Sequence, residues 1–286
     1  MKSKRFAAFL PHVEPLDLNL NEDDVGEALH APNSHAVHQL FGQVAAEEIL
    51  ADMAEKGLTS LLDKRGYVDF RLEVDKLSPF EEATRLIAHH PTLKQPATLV
   101  DLRAHWGQLK TALADRRALV WDWIEFADPT AKFPPMRPPL PGQTYPGLAL
   151  FGPFVELMKH YVARTEAQAL VAVPQYFHNA VLYWKNPSLR FRFLDPLRQG
   201  QLLAQMRDLM QAGLAAASWA FEDNRVEQNP ALTDGGSWEP CPWMPAELVL
   251  GLEEELLAYL DSPSQHEQIE VGQAYHYRIA AVKESL

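Results

Sequence analysis

The chain has 286 residues, 47% of them hydrophobic, enough for one large domain or two modest ones stabilised by packing alone. Its 26 Lys and Arg against 38 Asp and Glu leave a formal charge of −12, which excludes a broad basic surface and sequence-wide nucleic-acid binding but still allows a local pocket for one phosphorylated cofactor. The longest apolar run, near Ala169 to Val173, is far short of the roughly 20 residues that span a bilayer, so no membrane span is expected.

The basic start, Met1 to Phe6, is followed by only a short apolar patch before Pro11, which argues against a secretory signal. A single cysteine, Cys241, makes neither an intrachain disulfide nor, alone, a zinc site, and a cytoplasmic location is expected. It stands between Pro240 and Pro242 with no base identifiable beside it, so a nucleophilic role is not expected.

The first predicted element is an amphipathic helix from residue 36 to about 55, with Val37, Leu40, Phe41, Val44, Ile49, Leu50 and Met53 at helical spacing and Asn33 or Ser34 as N-cap. Tyr67 to Asp75 alternates apolar and charged residues and predicts a half-buried strand. A short helix is expected from Ser78 or Pro79 to about His89, and then a strand, or the start of a helix, at Leu99 to Ala104. Leu119 to Phe126 predicts a strand whose alternation slips. Either both faces are buried or a bulge near Trp123 and Ile124 resets the phase.

Pro129, Pro134, Pro135, Pro138, Pro139, Pro141 and Pro146 then impose a long extended loop. Beyond it, Phe154, Leu157, Met158, Tyr161 and Val162 predict a helix over 153–165. Ala169 to Val173 predicts a short strand, 177–184 a helix, and Leu189, Phe191 and Phe193 a further strand ending at Asp195-Pro196. Helices are expected at 197–213 and 245–260, with surface loop and a possible short strand between Asn224 and Pro245. The resulting fold class is α/β (α+β), a mixed central sheet flanked by helices. The chain divides into residues 1–115, contributing helix and strand to the sheet, a core half at 116–215, and a C-terminal extension at 216–286.

The sequence Gln143-Thr144-Tyr145-Pro146-Gly147-Leu148-Ala149 follows the strand at 119–126 and precedes the helix at 153. Small residues there allow close backbone approach to a phosphate, and the following helix adds its N-terminal field. Further on stands Asn179-Ala180-Val181-Leu182-Tyr183-Trp184-Lys185. Over about residues 118–195 this succession resembles the second half of the GNAT acyltransferase fold. In that family a bulged strand leads into a pyrophosphate-binding loop and helix, and the pantetheine of an acyl-CoA lies beside the strand.

The resemblance implies a GNAT-like core and acetyl-CoA or another acyl-CoA as cofactor, bound by Gln143, Gly147, Leu148, Ala149 and Gly152. It implies Tyr183 as the acid that protonates the departing thiolate, and Glu125 as the family-like base, with His178 the chemical alternative. The expected activity is acyl transfer to a small-molecule or peptide amine, and the acidic surface favours a cationic acceptor. Gln143 stands one position early for the family's loop, Pro146 lacks an N–H, and Asn179 stands only four residues before Tyr183. These departures motivate the alternative of a non-catalytic binding or scaffold protein with a protein partner.

Other groups point elsewhere more weakly. His35 and His38 share a helix face, but Glu47 is more than two turns away, so no metal site is predicted from them. His89-His90 suits a helix terminus, and Glu81-Glu82 and Glu253-Glu254-Glu255 suit solvated helix faces. Trp121, Trp123, Tyr176, Phe177, Tyr183 and Trp184 either line a pocket or pack the core. Trp238 and Trp243 either anchor a partner or cap the core. Motifs of serine hydrolases, NTPases, zinc proteases and dinucleotide-binding folds are absent from the sequence.

Overall fold

The structure, a computed structural model, describes residues 13–15, 39–40, 44–77, 81–186, 189–230 and 237–281. It is mixed α and β, as the sequence pattern predicts. The strands are β1 (Val13–Pro15), β2 (Gln39–Leu40), β3 (Val44–Ala45), β4 (Val68–Lys76), β5 (Glu81–His89), β6 (Ala97–Leu109), β7 (Arg116–Phe126), β8 (Ala169–Ala172), β9 (Arg192–Phe193), β10 (Val226–Asn229), β11 (Glu239–Pro240), β12 (Leu248–Gly251) and β13 (His276–Ile279). The helices are α1 (Ala46–Glu55), α2 (Leu58–Asp63), α3 (Phe151–Arg164), α4 (Phe177–Lys185), α5 (Pro196–Leu209), α6 (Leu214–Glu222), α7 (Glu254–Leu260) and α8 (Pro263–Gln273).

The main sheet has the order β4-β5-β6-β7-β8-β12-β9, with β1 also paired to β6. Among the described residues its pairings are antiparallel except β7 with β8. The chain passes from β7 to β8 through α3, the crossover that parallel strands require. Side chains alternate across β7. Leu119 and Trp121 join the larger core with Phe154, Tyr161 and Phe191, while Ala118 and Val120 join a smaller cluster under α7 with Leu256 and Leu260.

Three elements differ from the sequence pattern. Within the predicted helix over 36–55, Gln39–Leu40 and Val44–Ala45 pair as strands β2 and β3, and the helix α1 starts only at Ala46; residues 36–38 and 41–43 lie outside the described residues. Asn33, Ser34, His35 and His38 lie outside the described residues. The predicted helix ending at His89 is strand β5, hydrogen-bonded to β4 on one side and β6 on the other. Its Glu, Ala and Leu residues favour helix locally, but two long neighbouring strands satisfy its backbone and override that preference. Glu81 and Glu82 are therefore strand residues rather than a helix face, and His89 ends a strand rather than a helix.

The third difference is the predicted helix at 245–260. Its first part is β12, fully buried and inserted between β8 and β9, and only Glu254–Leu260 is helical. Glu253 and Glu255 close on Arg116, whose side chain is 2% exposed, at 3.5 and 2.6 Å, so these two carboxylates are ion-paired.

The predicted alternation of Leu189, Phe191 and Phe193 holds, all three being buried. Only Arg192–Phe193 joins the ladder, because Arg190 turns left-handed at φ 48°. Asp195 then caps α5 by accepting from Leu197 N–H at 2.9 Å. Among the described residues no helix is long and apolar enough to cross a membrane.

Candidate functional site

Strands β7 and β8 pair from Ala118 with Ala169 to Trp121 with Ala172. Beyond that pair β8 ends, while β7 runs five residues further, so the sheet parts at Trp121. The register of β6 against β7 skips one residue between Trp121 and Trp123, so Asp122 is the extra residue of a bulge. Of the two accounts of the slipped alternation, burial of both faces or a bulge near Trp123 and Ile124, the bulge is present, one residue before Trp123. A cavity of about 460 Å³ lies beside the parted strand, within the size range of small-molecule sites.

The cavity brings together all eight residues singled out from the sequence: Glu125 from β7, Gln143, Gly147, Leu148 and Ala149 from the loop, Gly152 from α3, and His178 and Tyr183 from α4. Their individual situations differ. Glu125 sits beside Asp101 across the β6–β7 ladder. Burial and then the negative charge of Asp101 push its carboxyl above the usual range.

His178 is 3% exposed, stacks on Tyr176 at 5.3 Å, and has no hydrogen-bond partner for Nδ1. Burial lowers its imidazole to about 4, so it is neutral at pH 7. Tyr183 is sandwiched between Phe151, stacked at 4.8 Å, and Phe191, at 5.6 Å, and burial raises its phenol well above the ordinary value.

The loop residues contribute mainly backbone. A Cβ placed on Gly147 would meet only the Phe126 carbonyl, at 3.6 Å. Ala149 takes a left-handed φ of 57°, an uncommon conformation for a residue with a Cβ. The Leu148 side chain is buried in the core. Gln143 turns its amide oxygen back to accept from Leu140 N–H at 3.1 Å, so that oxygen holds its own turn. Helix α3 has no side-chain N-cap. Among the described residues no hydrogen bond engages the N–H groups of Ala149, Leu150, Phe151 or Gly152, so the helix start offers free donors to an anion.

Four site features escape the sequence pattern. Asp122, the bulge residue, lines the cavity, and its carboxylate accepts from His105 Nδ1 at 2.6 Å. Gly142, at φ 78°, lets the Tyr176 ring pack where a Cβ would stand 2.9 Å from it. Asp128, at the start of the loop, is buried and bonded to Arg65, Tyr67 and Thr130. Trp121 has an indole N–H that is buried without a partner. No local signal marks the long-range partners; only the slipped alternation of β7 hints at Asp122.

The other aromatic and cysteine candidates are placed as well. Trp121, Trp123, Tyr176 and Tyr183 line the cavity, whereas Phe177 packs on Phe221 and Trp243, and Trp184 lies under Arg192. Trp243 donates to the Pro174 carbonyl at 3.1 Å and caps the core, while Trp238 lies under Arg278. Burial pushes the Cys241 thiol up, which does not suit a nucleophile. Among the described residues no group of three metal-ligating side chains occurs. Comparison of the chain with protein-family models, curated proteins and solved structures finds no match.

Proposed function

We propose that the cavity beside β7 binds an acyl-CoA and that the protein transfers its acyl group to an amine. The observation that carries this reading is the position of the cavity. It opens where the parallel pair parts, between a bulged strand and a helix start with unengaged N–H groups. The same succession of bulged strand, loop and helix underlies the resemblance to GNAT acyltransferases, which supports the reading. The helix start suits pyrophosphate, and the apolar wall of Trp123, Ile124 and Phe126 suits a pantetheine arm laid along the strand.

Glu125 is the better base of the two candidates. Its raised carboxyl titrates nearer neutrality, whereas a buried imidazole at about 4 is a weak proton acceptor at pH 7. The amine nitrogen attacks the thioester carbonyl carbon, forming a C–N bond and moving the carbonyl electron pair to oxygen. The pair returns and the C–S bond breaks while Tyr183, whose raised phenol stays protonated, donates a hydrogen bond to the departing sulfur. Glu125 takes the proton of the amine and passes it through solvent to the thiolate, which restores the carboxylate, and the products are an amide and a free thiol. The chain's charge of −12 and the carboxylates Asp101, Asp122 and Glu125 favour a cationic amine as acceptor.

Titration calorimetry with acetyl-CoA and with a longer acyl-CoA tests this, with Gly147→Glu as control. Space around Gly147 admits the side chain, so the variant folds normally while its carboxylate repels the pyrophosphate. Saturable binding weakened at least tenfold in the variant is the expected result. Absence of binding to either acyl-CoA by the folded protein overturns the proposal. Binding without thiol release in the presence of polyamines favours the alternative of a binding protein, for which the engaged Gln143 amide and Pro146 speak.

A further inference from the structure

Exposed apolar residues gather around the cavity. Trp123, Tyr145 and Leu182 are 36%, 43% and 47% exposed, and all three line it. An apolar side chain exposed singly needs no explanation, but three converging on one concave site mark a surface that an apolar ligand covers. On α4 the exposed residues are Leu182 and Lys185. A lysine suits the last turn of a helix, whereas an exposed leucine there buries nothing. Leu182 stands three residues after Asn179 and four before Asn186, which also line the cavity, so it belongs to the face of α4 turned towards it.

Three contacts fix how Tyr145 and Leu182 come together. A Cβ on Gly142 would stand 2.9 Å from the ring of Tyr176, the residue before α4. Phe151 stacks on Tyr183 at 4.8 Å, and a Cβ on Gly152 would stand 3.2 Å from the Asn186 amide nitrogen. The segment 142–152 therefore runs beside α4 in the same direction, from its start to its end. Tyr145 and Leu182 are carried by these two neighbouring segments, while Trp123 comes from β7.

The polar parts of the ligands do not account for this rim. Pyrophosphate is drawn to the N–H groups at the α3 start and a cationic amine to the carboxylates of Asp122 and Glu125, and neither gains from lying against a leucine. A pantetheine arm laid on the strand covers Trp123 but leaves Tyr145 and Leu182 in water. An acetyl group, with a single methyl, is too short to cover two side chains from different segments. Resting on the acyl-CoA reading above, we propose that the donor carries a medium-length aliphatic acyl chain, which covers Tyr145 and Leu182 and extends the apolar contact begun at Trp123.

The test compares acetyl-CoA with octanoyl-CoA, kept below its micelle concentration, by titration calorimetry of the intact protein. Each methylene buried strengthens binding by about fourfold, so octanoyl-CoA binds about tenfold more tightly or better, with one site per chain. Leu182→Ser and Tyr145→Ser each lower the ratio of the two affinities by about threefold or more. Both side chains stand at the surface, so these substitutions spare the core. Leu113→Ser, at a leucine also 47% exposed but away from the cavity, leaves the ratio unchanged. Octanoyl-CoA bound no more tightly than acetyl-CoA overturns the proposal and leaves the acyl-CoA reading standing. So does a ratio that both rim variants leave in place, or one that falls equally in Leu113→Ser. Failure of both acyl-CoAs to bind overturns the two together.

Discussion

Arg65 reaches the Asp128 carboxylate through Nη1 at 2.8 Å and the Leu148 carbonyl through Nη2 at 2.9 Å, so one guanidinium holds both ends of the loop from residue 127 to 150. The Asp128 N–H adds a bond to the Pro146 carbonyl at 2.8 Å, and Tyr67 and Thr130 complete the carboxylate's partners. Removing Asp128 leaves Arg65, Tyr67 and Thr130 without their common acceptor. Asp128→Ala is expected to destabilise the fold by about 3 kcal/mol, read from the urea midpoint, and to weaken the proposed acyl-CoA binding because Gly147 and Ala149 follow the loop. Although burial opposes it, hydrogen bonds from Thr130, Tyr67 and Arg65 hold the Asp128 carboxyl below its ordinary value. Its stabilising contribution is therefore complete above the unfolded carboxylate value and is lost as pH falls through the lower, folded one.

Glu125 gives a second prediction, this time in the pH–rate profile. Its carboxyl is raised first by burial and then by Asp101, so, on the proposed acyl-transfer function, kcat/KM is expected to rise with pH through an inflection above the ordinary carboxylate value. Removing the negative charge at Asp101 lowers the Glu125 value, so Asp101→Asn shifts the inflection to lower pH. Glu125→Gln removes the limb altogether. An inflection that stays in place in Asp101→Asn would assign the profile to another group.

Much of this arrangement is legible in the sequence where a signal is local. Alternation marks β4, the Val, Ile and Trp content marks β7, the proline run marks the loop, and the stripe from Phe154 to Val162 marks α3, so the succession of elements around the cavity can be read directly. What is illegible depends on distant partners. Glu81 to His89 is a strand because β4 and β6 flank it, against its own helical preference. Leu248 to Gly251 is an interior strand only because β8 and β9 receive it, and four apolar residues before an acidic run carry no mark of that. In the site, the Arg65–Asp128 anchor and the solitary Trp121 N–H are invisible for the same reason.

Packing between α5 and α8 supplies a prediction independent of function. A Cβ on Gly200 would stand 2.8 Å from the Gly272 Cα and closer still to the Ile269 carbonyl, so the two helices touch backbone to backbone. Gly200→Ala must push them apart. The gain in helix propensity, about 1 kcal/mol, is outweighed by overpacking of about 1–3 kcal/mol plus the lost contacts around Ile269. Net destabilisation in urea is expected, and an unchanged or raised midpoint would show that the helices separate at no cost.

The last prediction concerns His178, whose neutral state is fixed by its surroundings. Burial depresses its value from 6.5 to about 4, so below pH 6.5 the unfolded chain binds a proton that the folded protein does not. Stability therefore declines as pH falls from 6.5 towards 4, by on the order of 3 kcal/mol for a shift of this size, and levels off once both states are protonated. His178→Phe keeps a ring against Tyr176 and removes the titrating group. The urea-derived stability of the variant should be flatter across that window than that of the unsubstituted protein. Two parallel pH curves would mean that the His178 imidazole takes up its proton equally well in the folded state.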